Sequence, residues 1–137
     1  MATDNKYLHS EITGSILQAF YTVIKKLPIG LPIDVYKRAL EFECEFLGLK
    51  TEHDKEIKIP YRQKVAGSFF IDMVINDSVI VKIIKNETIG EQFVTDARNQ
   101  LRLSDYEVCL ILNIDQNGLH KRLVFTNDIK NKTPDNH

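Results

Sequence analysis

Two amphipathic helices are predicted in the first third of the chain, because apolar residues recur there at three- and four-residue spacing. The first helix should start at an N-cap Ser10 and end at Pro28, and the second should follow the turn at Gly30 to Pro32 and stop at Gly48. The inward residues are expected to be Ile12, Ile16, Leu17, Phe20, Val23, Ile24 and Leu27 in the first helix, and Tyr36, Ala39, Leu40, Cys44 and Leu47 in the second.

From Glu56 onward the apolar period changes to two, which indicates β-strands. IKIPY, GSFFIDMVI and SVIVKII follow one another, with Asn76-Asp77 as a hairpin signal before the third. A third helical stripe then precedes two further strands, YEVCLILNI and KRLVFT. The predicted order is ααβββαββ, an α/β (mixed α+β) domain with a single mixed β-sheet flanked by helices. We expect one domain over residues 7–127, with residues 1–6 and 128–137 as flexible termini.

Composition places the chain among ordinary globular proteins, since 43% of its residues are apolar and 27% are charged. No apolar run approaches the roughly eighteen residues of a membrane span, and no secretory signal is visible, so we expect a cytoplasmic protein. A net charge of −1 argues against a general nucleic-acid binder. Cys44 and Cys109 lie in apolar contexts typical of core thiols, and the scattered histidines give a zinc site little support.

Four segments, in order over roughly residues 10–126, resemble the GxxExxY family of the PD-(D/E)XK nuclease-like superfamily. LPIGLPIDVYKRAL resembles its LGxGxxExxYxxAL signature, and FLGLKTEHDKEIKIPY resembles the stretch that leads into its "IPVxY" strand. GSFFIDMVINDSVIVKII resembles its GxxxxDxxVxxxVIVExK core, and VCLILNID with KRLVF resembles its last strands. The resemblance implies a nuclease-like fold in which hairpin carboxylates hold Mg²⁺ or Mn²⁺ and a lysine orients the attacking water.

Most of the family's catalytic positions are replaced in this sequence. The first acid of the hairpin motif matches Asp72, but the second acid falls on Lys82 and the motif lysine falls on Ile84. The signature glutamate of the second helix falls on Ile33, and the glutamine of the third helix falls on Asp96. The resemblance therefore implies a remnant site in which no catalytic residue is expected to be active and in which Asp72 is the one remaining metal ligand.

Neighbouring residues offer alternatives to the lost groups. Asp34 follows the lost glutamate and Lys85 follows the lost lysine, but one step along a helix or strand turns a side chain away, so we expect neither to point into the site. Tyr36, which matches the family's tyrosine, is expected to be a packed residue with its hydroxyl satisfied, and Gly30 is expected to serve the turn.

The register of the hairpin decides whether Asp72 and Lys82 meet. A two-residue turn would place them on opposite faces, whereas a three-residue loop or a bulge would pair them. The family's need for two acids on one face favours the second case, so we predict that Lys82 neutralises Asp72 where the metal once lay. We also predict that Ile33 has become a buried core residue.

These replacements favour a catalytically degenerate nuclease-fold protein that acts as a non-enzymatic binding, scaffolding or self-assembling module, without a cofactor. Its partner would be another protein or further copies of the chain, with no membrane involved. The alternatives are a divergent Mg²⁺- or Mn²⁺-dependent nuclease that uses Asp72, and a non-cleaving nucleic-acid binder, which the near-neutral charge favours less.

Overall fold

The computed structural model describes residues 8–130, which form one mixed five-stranded sheet with helices on both faces. The predicted order of helices and strands is confirmed, and a short C-terminal helix is added to it. The elements are α1 (Ser10–Lys26), α2 (Ile33–Phe46), β1 (Thr51–Tyr61), β2 (Lys64–Ile75), β3 (Val79–Ile84), α3 (Glu91–Arg102), β4 (Val108–Asn113), β5 (His120–Val124) and α4 (Asn127–Lys130).

The strands lie in the sheet in chain order, β1-β2-β3-β4-β5. Every neighbouring pair is antiparallel except β3 and β4, which are parallel and are connected by α3. The central strands β3 and β4 are covered on both faces, and this is why they read as nearly continuous apolar runs in the sequence.

The sheet separates two hydrophobic cores. The first core lies under α1 and α2 and includes Phe20, Tyr36 and Leu110, and the second lies under α3 and includes Ile80 and Leu101. The two cysteines are divided between them as buried free thiols, and burial raises the pKa of each thiol to about 12. Both cysteines are therefore core residues, as predicted.

Element ends differ from the sequence-based expectation at several points. The N-cap of α1 is His9 rather than Ser10, and its φ of 56° is left-handed. Leu47, which was expected to face inward, is exposed because α2 ends one residue earlier and the chain then turns at Gly48. Strand β1 begins at Thr51, five residues before the predicted start, because its charged first half still pairs with β2.

The domain also continues past its predicted boundary at residue 127. Residues 127–130 form α4, so the expectation of a flexible segment from residue 128 is wrong for its first three residues. Lys130 is buried and donates hydrogen bonds to the backbone oxygens of Ser104 and Tyr106. Because these carbonyl oxygens accept hydrogen bonds from the ammonium group in place of water, the group can be buried. The other segments expected to be flexible, 1–6 and 131–137, lie outside the described residues.

Candidate functional site

The side-chain alternation of β2 reverses at Asp72. Met73 packs into the core under α1 and α2, whereas Ile71, two residues earlier, packs into the core under α3. In a regular strand these two side chains would lie on one face. On the neighbouring strand β1, Asp54 has a left-handed φ of 53° and falls between the paired residues His53 and Lys55. This break in the pleat turns Asp72 toward α2.

Both carboxylate oxygens of Asp72 accept hydrogen bonds. Lys37 of α2 donates from its Nζ to Oδ1 at 3.1 Å, and the backbone N–H of Ile83 donates to Oδ2 at 2.8 Å. The regular pairing of β2 with β3 runs from Ile75 only to Met73. The Asp72 carboxylate therefore supplies one further hydrogen bond between the two strands, just beyond the end of their regular pairing. Asp72 therefore stabilises the fold through two hydrogen bonds, and a metal ion bound to its carboxylate would compete with both of them.

Lys82 does not meet Asp72. The connection between β2 and β3 is a three-residue loop, one of the two predicted arrangements, because Ile75 pairs with Val79, and this register sets residue 72 opposite residue 82. Nevertheless, the Lys82 Nζ donates to Oδ2 of Asp96 on α3 at 2.7 Å, on the other face of the sheet. The predicted Asp72–Lys82 ion pair is wrong, because the break in β2 turns Asp72 away from the face that the register alone would give it.

Two other residues of this part of the chain lie on the α2 side with Asp72. Ile83 is buried in the core under α1 and α2, and Lys85 donates from its Nζ to the backbone oxygen of Leu31 at 3.0 Å, just before α2. Lys85 thus reaches the turn before α2, where its hydrogen bond is to a backbone oxygen and not to Asp72. Ile84 is buried in the core under α3. The α2 side thus receives residues 83 and 85 instead of 82 and 84.

The turn before α2 is held by Tyr36. Its side chain is fully buried, and its hydroxyl donates to the backbone oxygen of Pro28 at 2.5 Å and accepts from the N–H of Leu31 at 3.1 Å. Gly30, between those two residues, has a φ of 108°, which side-chain-bearing residues rarely adopt. Tyr36 is thus a packed residue with a satisfied hydroxyl, and Gly30 serves the turn, as expected.

The first turn of α2 holds the other positions that the resemblance singled out. Ile33 is half-buried and packs against the core under α1 and α2, so its predicted full burial is only partly confirmed. Asp34 is exposed, as expected for a side chain one step around the helix. Sequence reasoning missed Lys37, to which it assigned no role at this site. Its spacing of four residues from Ile33, which places both on one helix face, was the available signal.

A second polar cluster ties β1 to the β2–β3 turn. The Lys55 Nζ donates to the Tyr106 hydroxyl at 2.7 Å, and that hydroxyl donates to Oδ1 of Asp77 at 3.2 Å. The hydrogen bond that Lys55 donates to the Tyr106 hydroxyl raises the pKa of Lys55, and burial raises the pKa of Tyr106. Asp77 lies in the turn with a left-handed φ of 50°. These hydrogen bonds therefore connect β1 to the turn between β2 and β3 through the Tyr106 hydroxyl.

A model of the PD-(D/E)XK nuclease superfamily matches residues 10–123. The chain belongs to this superfamily. No curated protein matches it. A solved structure titled "Crystal structure of SSO0001" is similar with a TM-score of 0.51 at 16% identity, over 92% of this chain and 63% of that chain. This chain therefore spans less than two thirds of that protein, and the likeness concerns the fold alone.

The divalent metal of the PD-(D/E)XK superfamily does not fit the residues around Asp72. A second carboxylate is missing whether its position is taken as residue 82 or as residue 83, because one is a lysine and the other a buried isoleucine. Within residues 8–130, no three His, Cys, Asp or Glu side chains are grouped so that they could hold a metal ion.

Among the helices described over residues 8–130, none has the length and apolar character that a membrane span requires.

Proposed function

We propose that this PD-(D/E)XK superfamily member is a catalytically degenerate, cytoplasmic protein of the GxxExxY type, which binds or scaffolds and does not cleave. The observation that carries the proposal is that the retained acid of the hairpin motif and the lysine that replaces its second acid each have a partner in the fold. Asp72 is engaged by Lys37 and by a backbone N–H, while Lys82 is engaged by Asp96 on the other face. Buried free thiols, as found here, suit a reducing compartment.

The Asp72–Lys37 contact opposes metal binding electrostatically. A divalent ion about 4 Å from an ammonium group loses roughly 8 kcal/mol at an effective dielectric of about 20, and screening at this partly exposed site reduces the figure. If about 2 kcal/mol of that penalty remains, affinity falls by roughly 30-fold. An ion that displaced Lys37 would gain one carboxylate ligand, Asp72, and no second one.

An exposed apolar pair on α2 supports the binding part of the proposal. Phe42 is 58% exposed and Phe46 is 87% exposed, and their spacing of four residues places them on one helix face. Aromatic side chains are enriched at protein–protein interfaces, where they supply buried area. We expect this pair to contact another protein surface, which can be that of a second copy of the chain.

A nuclease assay tests the loss of catalysis. Supercoiled DNA, linear DNA and RNA are incubated with the protein in Mg²⁺ and in Mn²⁺, beside Asp72→Ala and the matched carboxylate deletion Asp34→Ala. We expect no cleavage by any of the three proteins beyond a buffer control. Cleavage by the wild type and by Asp34→Ala, but not by Asp72→Ala, would refute the proposal, and calorimetric titration with either metal gives an independent reading.

Light scattering tests the exposed aromatic pair. The mass of the wild type is measured over a range of concentrations beside Phe42→Ser/Phe46→Ser and beside Ile129→Ser, which removes another exposed apolar side chain. We expect association that the double variant loses and the control keeps. A wild type that stays monomeric at every concentration would exclude self-assembly, and the partner would then have to be a different protein.

A further inference from the structure

The turn between β4 and β5 contains the only Asn-Gly step of the chain, Asn117-Gly118. The N–H of Gly118 donates to the backbone oxygen of Asp115 and closes this turn, in which Asn117 is exposed and Gly118 is buried. An asparagine followed by glycine is the most reactive kind of asparagine in a polypeptide, because no side chain hinders the approach of the glycine nitrogen to the asparagine amide. The turn is therefore a candidate for a covalent change of the chain itself.

The side-chain amide of Asn117 is not held by the fold. Among residues 8–130 it has no hydrogen-bond partner. Four other asparagines each use their side-chain amide in a hydrogen bond with the backbone, namely Asn76, Asn86, Asn113 and Asn127. An amide held in that way is restricted in its approach to the next backbone nitrogen, and the amide of Asn117 has no such restriction.

The reaction open to this step is deamidation through a succinimide. The backbone nitrogen of Gly118 gives up its proton and attacks Cγ of Asn117. A new N–C bond forms, and the side-chain nitrogen leaves as ammonia after taking up a proton. Water then opens the ring at one of its carbonyl carbons, which gives aspartate or isoaspartate at position 117. Water is consumed and ammonia is released in equal amounts, so the reaction needs no other reagent.

The Asp115 carboxylate opposes the first step of this reaction. Its Oδ1 accepts the N–H of Gly118 at 2.7 Å and the N–H of Asn117 at 2.8 Å. The nitrogen that has to lose its proton is thus hydrogen-bonded to an anion, and deprotonation would set two negative charges side by side. The same bonds fix the turn, in which Gly118 has a left-handed φ of 64°. Attack on Asn117 therefore requires the bond from Gly118 to Asp115 to break first.

We propose that Asn117 is a site of spontaneous deamidation and that Asp115 restrains the reaction in the folded protein. Deamidation is slow while both hydrogen bonds to Asp115 hold, and it becomes fast when the turn opens locally. The inference goes beyond the proposed function and is independent of it, because it involves none of the residues that carry that function.

The turn is in contact with α1, so its modification affects more than the loop. Gly118 lies so close to Tyr21 of α1 that a Cβ added at Gly118 would fall 2.9 Å from Cε1 of the ring. The Tyr21 hydroxyl in turn shares a hydrogen bond with Nδ1 of His120 on β5 at 3.1 Å. Isoaspartate adds a carbon atom to the backbone of the turn, and either product sets a second carboxylate beside Asp115. We therefore expect deamidation to loosen the contact between α1 and β5.

Peptide mass spectrometry of the full chain, after incubation in mildly alkaline buffer, tests the proposal. Trypsin releases residues 103–121 as one peptide, in which exchange of the Asn117 amide for a carboxyl group is measured and fragmentation separates it from Asn113. The wild type is compared with Asp115→Ala, with Asp115→Asn and with the control Glu87→Ala, which deletes an exposed carboxylate in another loop.

The loss of hydrogen bonds to a charged acceptor predicts that Asp115→Ala deamidates at least about tenfold faster than the wild type. Asp115→Asn keeps an oxygen acceptor without the charge, so its rate should lie between those of the wild type and Asp115→Ala. Glu87→Ala should match the wild type. Hydrogen exchange should be faster around Tyr21 and His120 in the deamidated protein than in the fresh protein.

Unfolding of the whole domain is the competing explanation for any acceleration, and a second variant controls for it. Tyr36→Phe removes hydrogen bonds in the turn before α2 and leaves the β4–β5 turn untouched. We expect it to deamidate at the rate of the wild type, although thermal unfolding followed by circular dichroism should show that it is less stable.

Three results would overturn the proposal. The first is an Asn117 that stays intact in both the folded wild type and Asp115→Ala. The second is an Asp115→Ala variant that reacts no faster than the wild type, since the carboxylate would then be no restraint. The third is equal acceleration in Tyr36→Phe and Asp115→Ala, since the reaction would then wait for global unfolding. None of these results bears on the proposed function, whose tests concern Asp72 and α2.

Discussion

Removing the Asp72 carboxylate tests whether this acid stabilises the fold or is retained for catalysis. In Asp72→Ala, the N–H of the buried Ile83 loses its acceptor and Lys37 loses its partner. A hydrogen bond to a charged group contributes about 1.5–3 kcal/mol, and an ion pair whose two side chains are each about a quarter exposed adds about 0.5 kcal/mol. We therefore expect the free energy of unfolding to fall by about 2–3.5 kcal/mol. At about 4 °C per kcal/mol, the melting temperature should fall by roughly 10 °C.

Two companion variants divide this loss between the two contacts. Asp72→Asn keeps an oxygen that accepts the Ile83 N–H, so it should cost about 1 kcal/mol or less. Lys37→Met removes the ion pair alone and should cost about 0.5 kcal/mol. Urea unfolding followed by circular dichroism measures each free energy, and the slope with denaturant shows whether unfolding stays two-state. Asp34→Ala, which deletes an exposed carboxylate, should stay within about 0.5 kcal/mol of the wild type.

A neutral or stabilising Asp72→Ala would refute this reasoning. Residues kept for activity often reduce stability, and their removal then makes a protein more stable. A melting temperature that stays the same or rises in Asp72→Ala would therefore indicate that the carboxylate is held for a ligand. The nuclease assay should then be repeated with a wider range of metals and substrates.

Three further predictions concern other parts of the domain. Lys82→Glu should lower the free energy of unfolding by about 1 kcal/mol, because it sets two carboxylates together at Asp96, and Lys82→Glu/Asp96→Lys should restore it in urea unfolding. Tyr36→Phe should cost about 1–3 kcal/mol by the same assay, because it leaves two backbone groups of the preceding turn without their partner. The thiols of Cys44 and Cys109 keep their protons in the folded state up to a pKa of about 12 and lose them near 9.0 when unfolded, so stability should hold below about pH 9 and fall as the pH rises toward 12. Native thiols that react with Ellman's reagent faster than the protein unfolds would contradict their burial.

Local patterns were sufficient to predict the order of the elements. The period of three to four residues before Pro28, and again between Tyr36 and Cys44, appears as two helices. The change to a period of two was followed by strands. Superfamily membership followed from short motifs in the right order, because each motif lies within one element or one turn. These features depend on neighbours in the chain, which the sequence displays directly.

The candidate site depended on relations that no single segment contains. The sequence shows directly that Asp72 is present and that lysine and isoleucine stand at positions 82 and 84. The contact of Lys37 with Asp72, and that of Lys82 with Asp96 on α3, become visible only in the folded domain. A strand alternates its faces only while its pleat is regular, so one irregular residue reverses every assignment beyond it. That irregularity lies beside Asp54 on the neighbouring strand, and no local pattern within β2 displays a residue so distant in the chain.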